Sequence, residues 1–101
     1  MAITLDNRSD TETLIVLDER FDFGSVEQFR KSYESIHKAM AKAVAIDFRN
    51  TRYMDSSALG MLLNAKGHFD DHGIRVKIIN ANEQIKKIFS ISRFEKKFEI
   101  V

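Results

Sequence analysis

The chain has 101 residues, 44% hydrophobic and 31% charged, with no cysteine and a net charge of +1. That length suits one domain with a real core, and the near-neutral balance gives no electrostatic footprint for nucleic acid. The missing cysteines exclude disulfides, thiolate metal sites and thiol nucleophiles, no apolar run approaches the ~20 residues of a membrane span, and no signal-peptide order opens the chain.

These bounds lead us to expect one domain over residues 1–101, in the cytoplasm and unattached to a membrane. The opening "AITL" and the segment "TLIVLDERF" (residues 13–21), with Leu14, Ile15, Val16 and Leu17, read as two strands paired across "DNRSDTE". In "FGSVEQFRKSYESIHKAM" (residues 23–40), Val26, Phe29, Tyr33, Ile36 and Met40 recur at spacings of 3 and 4, one stripe of a helix. Ser25 followed by Gln28 fits a capping box at its start, and His37 falls beside the stripe, as a surface residue would. "AVAIDF" (residues 43–48) is almost unbroken apolar, the pattern of a central strand.

A second stripe, Ala58, Leu62, Ala65 and Phe69, predicts another helix, and Gly73 suits its left-handed end. "IRVKII" (residues 74–79) alternates as a half-exposed strand. "NANEQIKKIFS" opens with capping asparagines and puts Ile85, Ile88 and Phe89 on one helical face, and "KKFEIV" reads as a last strand. The order β-β-α-β-α-β-α-β implies an α/β domain with a mixed or mostly parallel sheet and helices packed against it.

The stretch "YMDSSALGMLL" (residues 53–63) carries the chemistry. Asp55, Ser56 and Ser57 fall where a strand hands over to the second helix, and their side-chain oxygens suit the orphan N–H groups there. On one reading a single residue caps and the others are solvated. On the other, a hydroxyl at the positive helix mouth accepts a phosphate of about −1.5 to −2 charge without unfolding the helix. Both readings hold together if one hydroxyl caps while the other is modified.

Other clusters read blandly. Ser57 with His68, His72, Asp70 or Asp71 lacks the glycine-flanked nucleophile elbow of a hydrolase. His68, Asp70, Asp71 and His72 suit a hydrated helix end better than a metal set, so no metal or cofactor is expected. Lys86, Lys87, Arg93, Lys96 and Lys97 suit a solvated face. Arg49 and Arg52 precede the serine turn and either steer a partner or face solvent.

"MDSSALGMLL" resembles the signature of the STAS domain, the fold of bacterial anti-sigma factor antagonists. The resemblance extends through "ERFDF", "SVEQFR", "VAIDFRNTRYMDSSALG" and "INANEQIKKIFSISRFEKKFEI", almost the whole chain. It implies a non-enzymatic switch module for transcription control. Ser57 would be phosphorylated by a kinase that doubles as the anti-sigma factor and dephosphorylated by a PP2C-type phosphatase. The unmodified form would bind the anti-sigma factor and free sigma. Asp22, Asp55, Ser56, Ser57 and Ala58 would form the partner-binding face, with Ala58 standing where the family often has glycine. The sequence stops at Val101, so the C-terminal helix of longer members is expected to be missing and one sheet face either less covered or covered by a partner. The rival reading is a constitutive scaffold in a signalling or transport complex. Nucleotide hydrolysis is disfavoured, since no glycine-rich phosphate cradle occurs.

Overall fold

The structure is a computed structural model that describes residues 3–9, 11–36 and 41–101. Its strands are β1 (Thr4–Asn7), β2 (Glu12–Val16), β3 (Arg20–Phe21), β4 (Ala43–Asp47), β5 (Tyr53–Met54), β6 (Arg75–Ile79) and β7 (Glu99–Ile100). Its helices are α1 (Val26–Glu34), α2 (Ser56–Asp71) and α3 (Glu83–Ile91). The positions expected for His37 and Met40 lie outside the described residues.

Among the described residues the main sheet runs in the order β1-β2-β4-β6-β7. β1 is antiparallel to β2, and every other neighbouring pair is parallel. The sheet is therefore mixed, as the alternation of strands and helices predicts. β4 lies at its centre, and Val44, Ala45 and Ile46 are all buried, which is why the segment reads as almost unbroken apolar up to the buried Asp47.

Parallel strands added one after another across the sheet place the helices between them on one face. Ile15, Val44, Ile46 and Ile78 on that face join Phe29 and Tyr33 of α1, Leu62 and Phe69 of α2, and Ile85 and Phe89 of α3 in one cluster. Edge-to-face aromatic pairs knit it: Phe21 meets Phe29 at 4.9 Å and Phe48 at 6.0 Å, and Phe48 meets Phe89 at 5.6 Å between ring centroids.

The opposite face is built differently. The register aligns Glu12 with Ala43, and Leu14 with Ala45 and Lys77. Glu12 Oε2 and Lys77 Nζ approach to 3.4 Å, so the ion pair reaches across β4 above its two alanines. Only side chains as short as alanine leave room for it.

Three local expectations are corrected. The strand expected over residues 13–21 breaks after Val16. Polar Asp18 and Glu19 interrupt the apolar alternation, and the chain resumes as β3, which pairs with β5 in a separate two-stranded parallel ladder. The first helix starts at Val26, after a 3₁₀ turn over Phe23–Ser25. Ser25 makes no side-chain cap to α1; its Oγ accepts from Asp22 N at 3.3 Å and donates to Arg20 O at 3.2 Å. The capping box thus sits on Asp22 and Ser25, not Ser25 and Gln28, because an aspartate directly follows β3 and is as strong a cap. Val26 is exposed in consequence, while Phe29 and Tyr33 keep their inward places. Ile36 is also buried, beyond the last turn of α1.

The rest follows expectation closely. Ala58, Leu62, Ala65 and Phe69 are buried along α2. Gly73 has φ 68, the left-handed conformation that closes a helix at little steric cost to glycine. Asn82 caps α3 through Ile85 N at 2.9 Å. Before β7 a 3₁₀ turn over Phe94–Lys96 stacks Phe94 between Phe89 and Phe98, at 5.6 and 5.5 Å.

Candidate functional site

The β3–β5 ladder builds the site. Its register sets Arg20 beside Tyr53 and Phe21 beside Met54. The next residue on each side is Asp22 and Asp55, so the pairing carries two carboxylates distant in sequence to one place. Each then caps the helical turn that follows it. Asp22 Oδ1 accepts from Gly24 N at 3.0 Å, and Asp55 Oδ1 accepts from Ala58 N at 3.2 Å. A Cβ added at Gly24 would meet Asp22 Oδ1 at 3.3 Å, so the first turn closes best around glycine.

The two caps are joined. Phe23 N donates to Asp55 Oδ2 at 3.4 Å. Arg20 Nε donates to Asp22 Oδ2 at 3.3 Å while its guanidinium lies 4.2 Å over the Tyr53 ring. An Arg–aromatic stack of this kind contributes about 0.5–1 kcal/mol at an exposed site. Burial works against the Asp55 charge, but the Ser57 hydroxyl and the amides of Phe23, Ala58 and Ser57 outweigh it and hold the carboxyl below its ordinary range.

The serines stand on the first turn of α2. Ser56 is exposed and Ser57 is half-buried, so the Ser57 hydroxyl lies against Asp55 without being sealed in the core. Ala58 differs from the other four residues of the expected face. It is 0% exposed, and its methyl belongs to the core cluster; it sets how closely α2 approaches the sheet. Asp22 and Asp55 are partly exposed.

Beyond these residues the surface carries aromatic and apolar side chains. Phe23 is 71% exposed and Tyr53 44%, with exposed Val26 on the following turn. An open cleft of about 290 Å³ lies alongside, lined by Asp18, Arg20, Asp22, Gly24, Ser25 and Gln28 among others. Arg20, Phe23 and Tyr53 were not legible as site residues, because a two-residue ladder is too short to leave a periodic trace.

Arg49 is held rather than free. Its Nε and Nη2 grip the fully buried Asp47 carboxylate at 2.7 and 2.6 Å, and its own N–H adds 2.9 Å. Asn80 Nδ2 completes the set at 3.1 Å. Thr51 Oγ1 donates to Asp18 O at 2.8 Å, and Asn82 Nδ2 to Thr51 O at 3.3 Å. The two Thr51 bonds pin the loop that delivers β5 and the head of α2. Arg52 is exposed. Among the described residues no group of three or more His, Asp or Glu is arranged to hold a metal ion. His68 packs on Tyr33 and His72, at 5.3 and 4.3 Å between ring centroids. Among the described residues no helix is long and apolar enough to cross a membrane.

A mixed sheet with one helical layer thus carries two capped turns that meet at a serine-bearing helix mouth. The STAS domain family model matches residues 2–101. The chain belongs to the STAS domain family. It is 40% identical over 101 residues to a STAS-domain containing protein of Pseudomonas aeruginosa (strain UCBPP-PA14), covering 99% of each chain. Its fold is similar to that of the Bacillus cell fate determinant SpoIIAA in the phosphorylated form, with a TM-score of 0.74 and 22% identity over 99% of this chain and 91% of that one. It is similar too to the SulP transporter STAS domain from Vibrio cholerae, with a TM-score of 0.70 and 20% identity over 90% of this chain and 70% of that one.

Proposed function

We propose that the chain is an anti-sigma factor antagonist: a phosphorylation-gated binding module that acts by association, not catalysis. Unphosphorylated, it binds an anti-sigma factor that is also a serine kinase, and so releases sigma factor. Phosphorylation of Ser57 by that kinase dissolves the complex, and a PP2C-type phosphatase restores it. The binding face is Asp22, Asp55, Ser56 and Ser57, with Phe23 and Tyr53 as apolar anchors.

The observation that carries this reading is the position of Ser57. It is half-buried on the first turn of α2, reachable from solvent, and shares Asp55 with the turn that carries exposed Phe23. A dianion placed there lies within the contact area, where an unpaired charge costs several kcal/mol, and about 1.4 kcal/mol already changes affinity tenfold. The likeness to SpoIIAA, an anti-sigma factor antagonist solved in both its unphosphorylated and its phosphorylated form, supports the same reading.

The test is direct. Incubation with cell extract and ATP, followed by intact-mass and fragment analysis, should add one phosphate at Ser57, and unmodified protein should retain a kinase-type partner that Ser57→Asp does not. An unlabelled protein whose capture is indifferent to Ser57→Ala and Ser57→Asp would instead be a constitutive scaffold, the reading that the likeness to a transporter STAS domain favours.

A further inference from the structure

We propose that Asp55 relays the modification of Ser57 to the turn that presents Phe23, so that phosphate reshapes the docking surface at a distance as well as charging it. The inference rests on the reading of Ser57 as the modified residue. Its own basis is a single carboxylate with commitments on two elements. Asp55 Oδ1 holds Ala58 N at the mouth of α2, and Asp55 Oδ2 holds Phe23 N on the 3₁₀ turn, 32 residues away. The Ser57 hydroxyl and amide lie against the same group.

Phosphoryl transfer from a nucleoside triphosphate forms a bond between Ser57 Oγ and phosphorus, breaks the bond to the departing nucleoside diphosphate, and releases the hydroxyl proton. The hydroxyl that faced Asp55 is thereby replaced by a group of about −1.5 to −2 charge. With Asp55 itself, roughly −2.5 to −3 would then crowd one helix mouth of about +0.5. The phosphate oxygens are the stronger acceptors for the free N–H groups of α2, and like charge drives the carboxylate outward.

Outward movement of Asp55 strips Phe23 N of its acceptor. The turn over residues 23–25 does not collapse, because Asp22 still receives Gly24 N and Ser25 Oγ still receives Asp22 N. What is lost is the tie between that turn and α2. Phe23, 71% exposed and anchored among the described side-chain acceptors through that one bond, is then no longer held in register with the serines. A partner that reads Phe23 and the head of α2 together meets two elements out of step.

The experiment uses the whole chain with phosphoserine encoded at position 57 during synthesis, so neither kinase nor partner is needed. In unmodified protein the Phe23 amide resonance should follow the titration of the Asp55 carboxyl carbon. With phosphoserine at 57 that response should be lost, and the backbone of residues 22–24 should gain fast motion. A Phe23 amide that still tracks Asp55 beside the phosphate overturns the proposal, and this comparison requires no variant. In Asp55→Asn the neutral side chain is not repelled, so the same phosphate should leave the motion of residues 22–24 unchanged; an equal gain there also overturns it. Partner capture is read separately: a failed relay leaves gating by phosphate standing, and failed gating leaves the relay standing.

Discussion

Phe23 and Asp55 are hydrogen-bonded, backbone N–H to carboxylate, at 3.4 Å across 32 residues of sequence. The bond exists because two residues of β3 pair in parallel with two of β5, which makes the caps of two successive turns neighbours. It joins an exposed aromatic side chain to the positive end of the longest helix, and most of the expectations below follow from it.

Asp55→Ala should destabilise the domain by about 1 kcal/mol, the ordinary worth of an N-cap. For a chain of this size that lowers Tm by roughly 4–8 °C, readable by circular dichroism on heating. Asp55→Asn should lose much less, since asparagine caps equally well.

Acid should find the same residue. The Asp55 carboxyl is held below its ordinary range in the folded protein by Ser57, Phe23 and Ala58 donors that outweigh its burial. Its contribution is therefore complete above about pH 4, the unfolded value, and disappears as pH falls through the lower folded value. Urea midpoints measured from pH 6 down to pH 2 should fall less steeply for Asp55→Asn than for the parent chain.

Phe23→Ala separates recognition from folding. The side chain is largely in solvent, so stability should change by less than about 0.5 kcal/mol. Binding to the proposed kinase-type partner should weaken at least about tenfold, as expected when an aromatic anchor is removed. Equal affinity in a titration of the purified pair would remove Phe23 from the contact surface.

Arg49→Ala should destabilise without touching recognition. It leaves the buried Asp47 carboxylate with Asn80 and one backbone N–H in place of a forked guanidinium. Because half of Arg49 is in solvent, the expected cost is about 2 kcal/mol, below that of a fully buried pair. Denaturant titration measures it, and partner affinity per folded molecule should be unchanged.

In the core, Phe48→Ala should cost about 3–5 kcal/mol, since its ring bridges Phe21 to Phe89. Much of a domain's stability is of that order, so low solubility or an unfolded spectrum at 37 °C is the expected readout.

Elements with a long repeat were legible in the sequence. The α2 stripe from Ala58 to Phe69 and the apolar run of β4 each announce burial over several residues, and Gly73 marks its turn through the one conformation it favours. The site was only half legible. Asp55, Ser56 and Ser57 were visible because capping chemistry is local. Asp22 entered only through the family resemblance, and Arg20, Phe23 and Tyr53 left no trace, because the two-residue strands that carry or flank them have no period and the register is set by tertiary packing. The same cause displaced the start of α1: Ser25 and Gln28 satisfy the capping pattern, but Asp22 reaches the turn first. Ala58 shows the converse, a residue inside the motif whose side chain looks inward.

The ion pair between Glu12 and Lys77 has a different kind of consequence. It roofs Ala43 and Ala45, with Leu14 beside them, on the sheet face turned away from the described helices, so a strip of apolar surface there is wetted by charge. Removing either arm would spare partner capture but leave a sticky plate. The visible symptom would be turbidity in concentrated salt, where screening already loosens the parent's own roof.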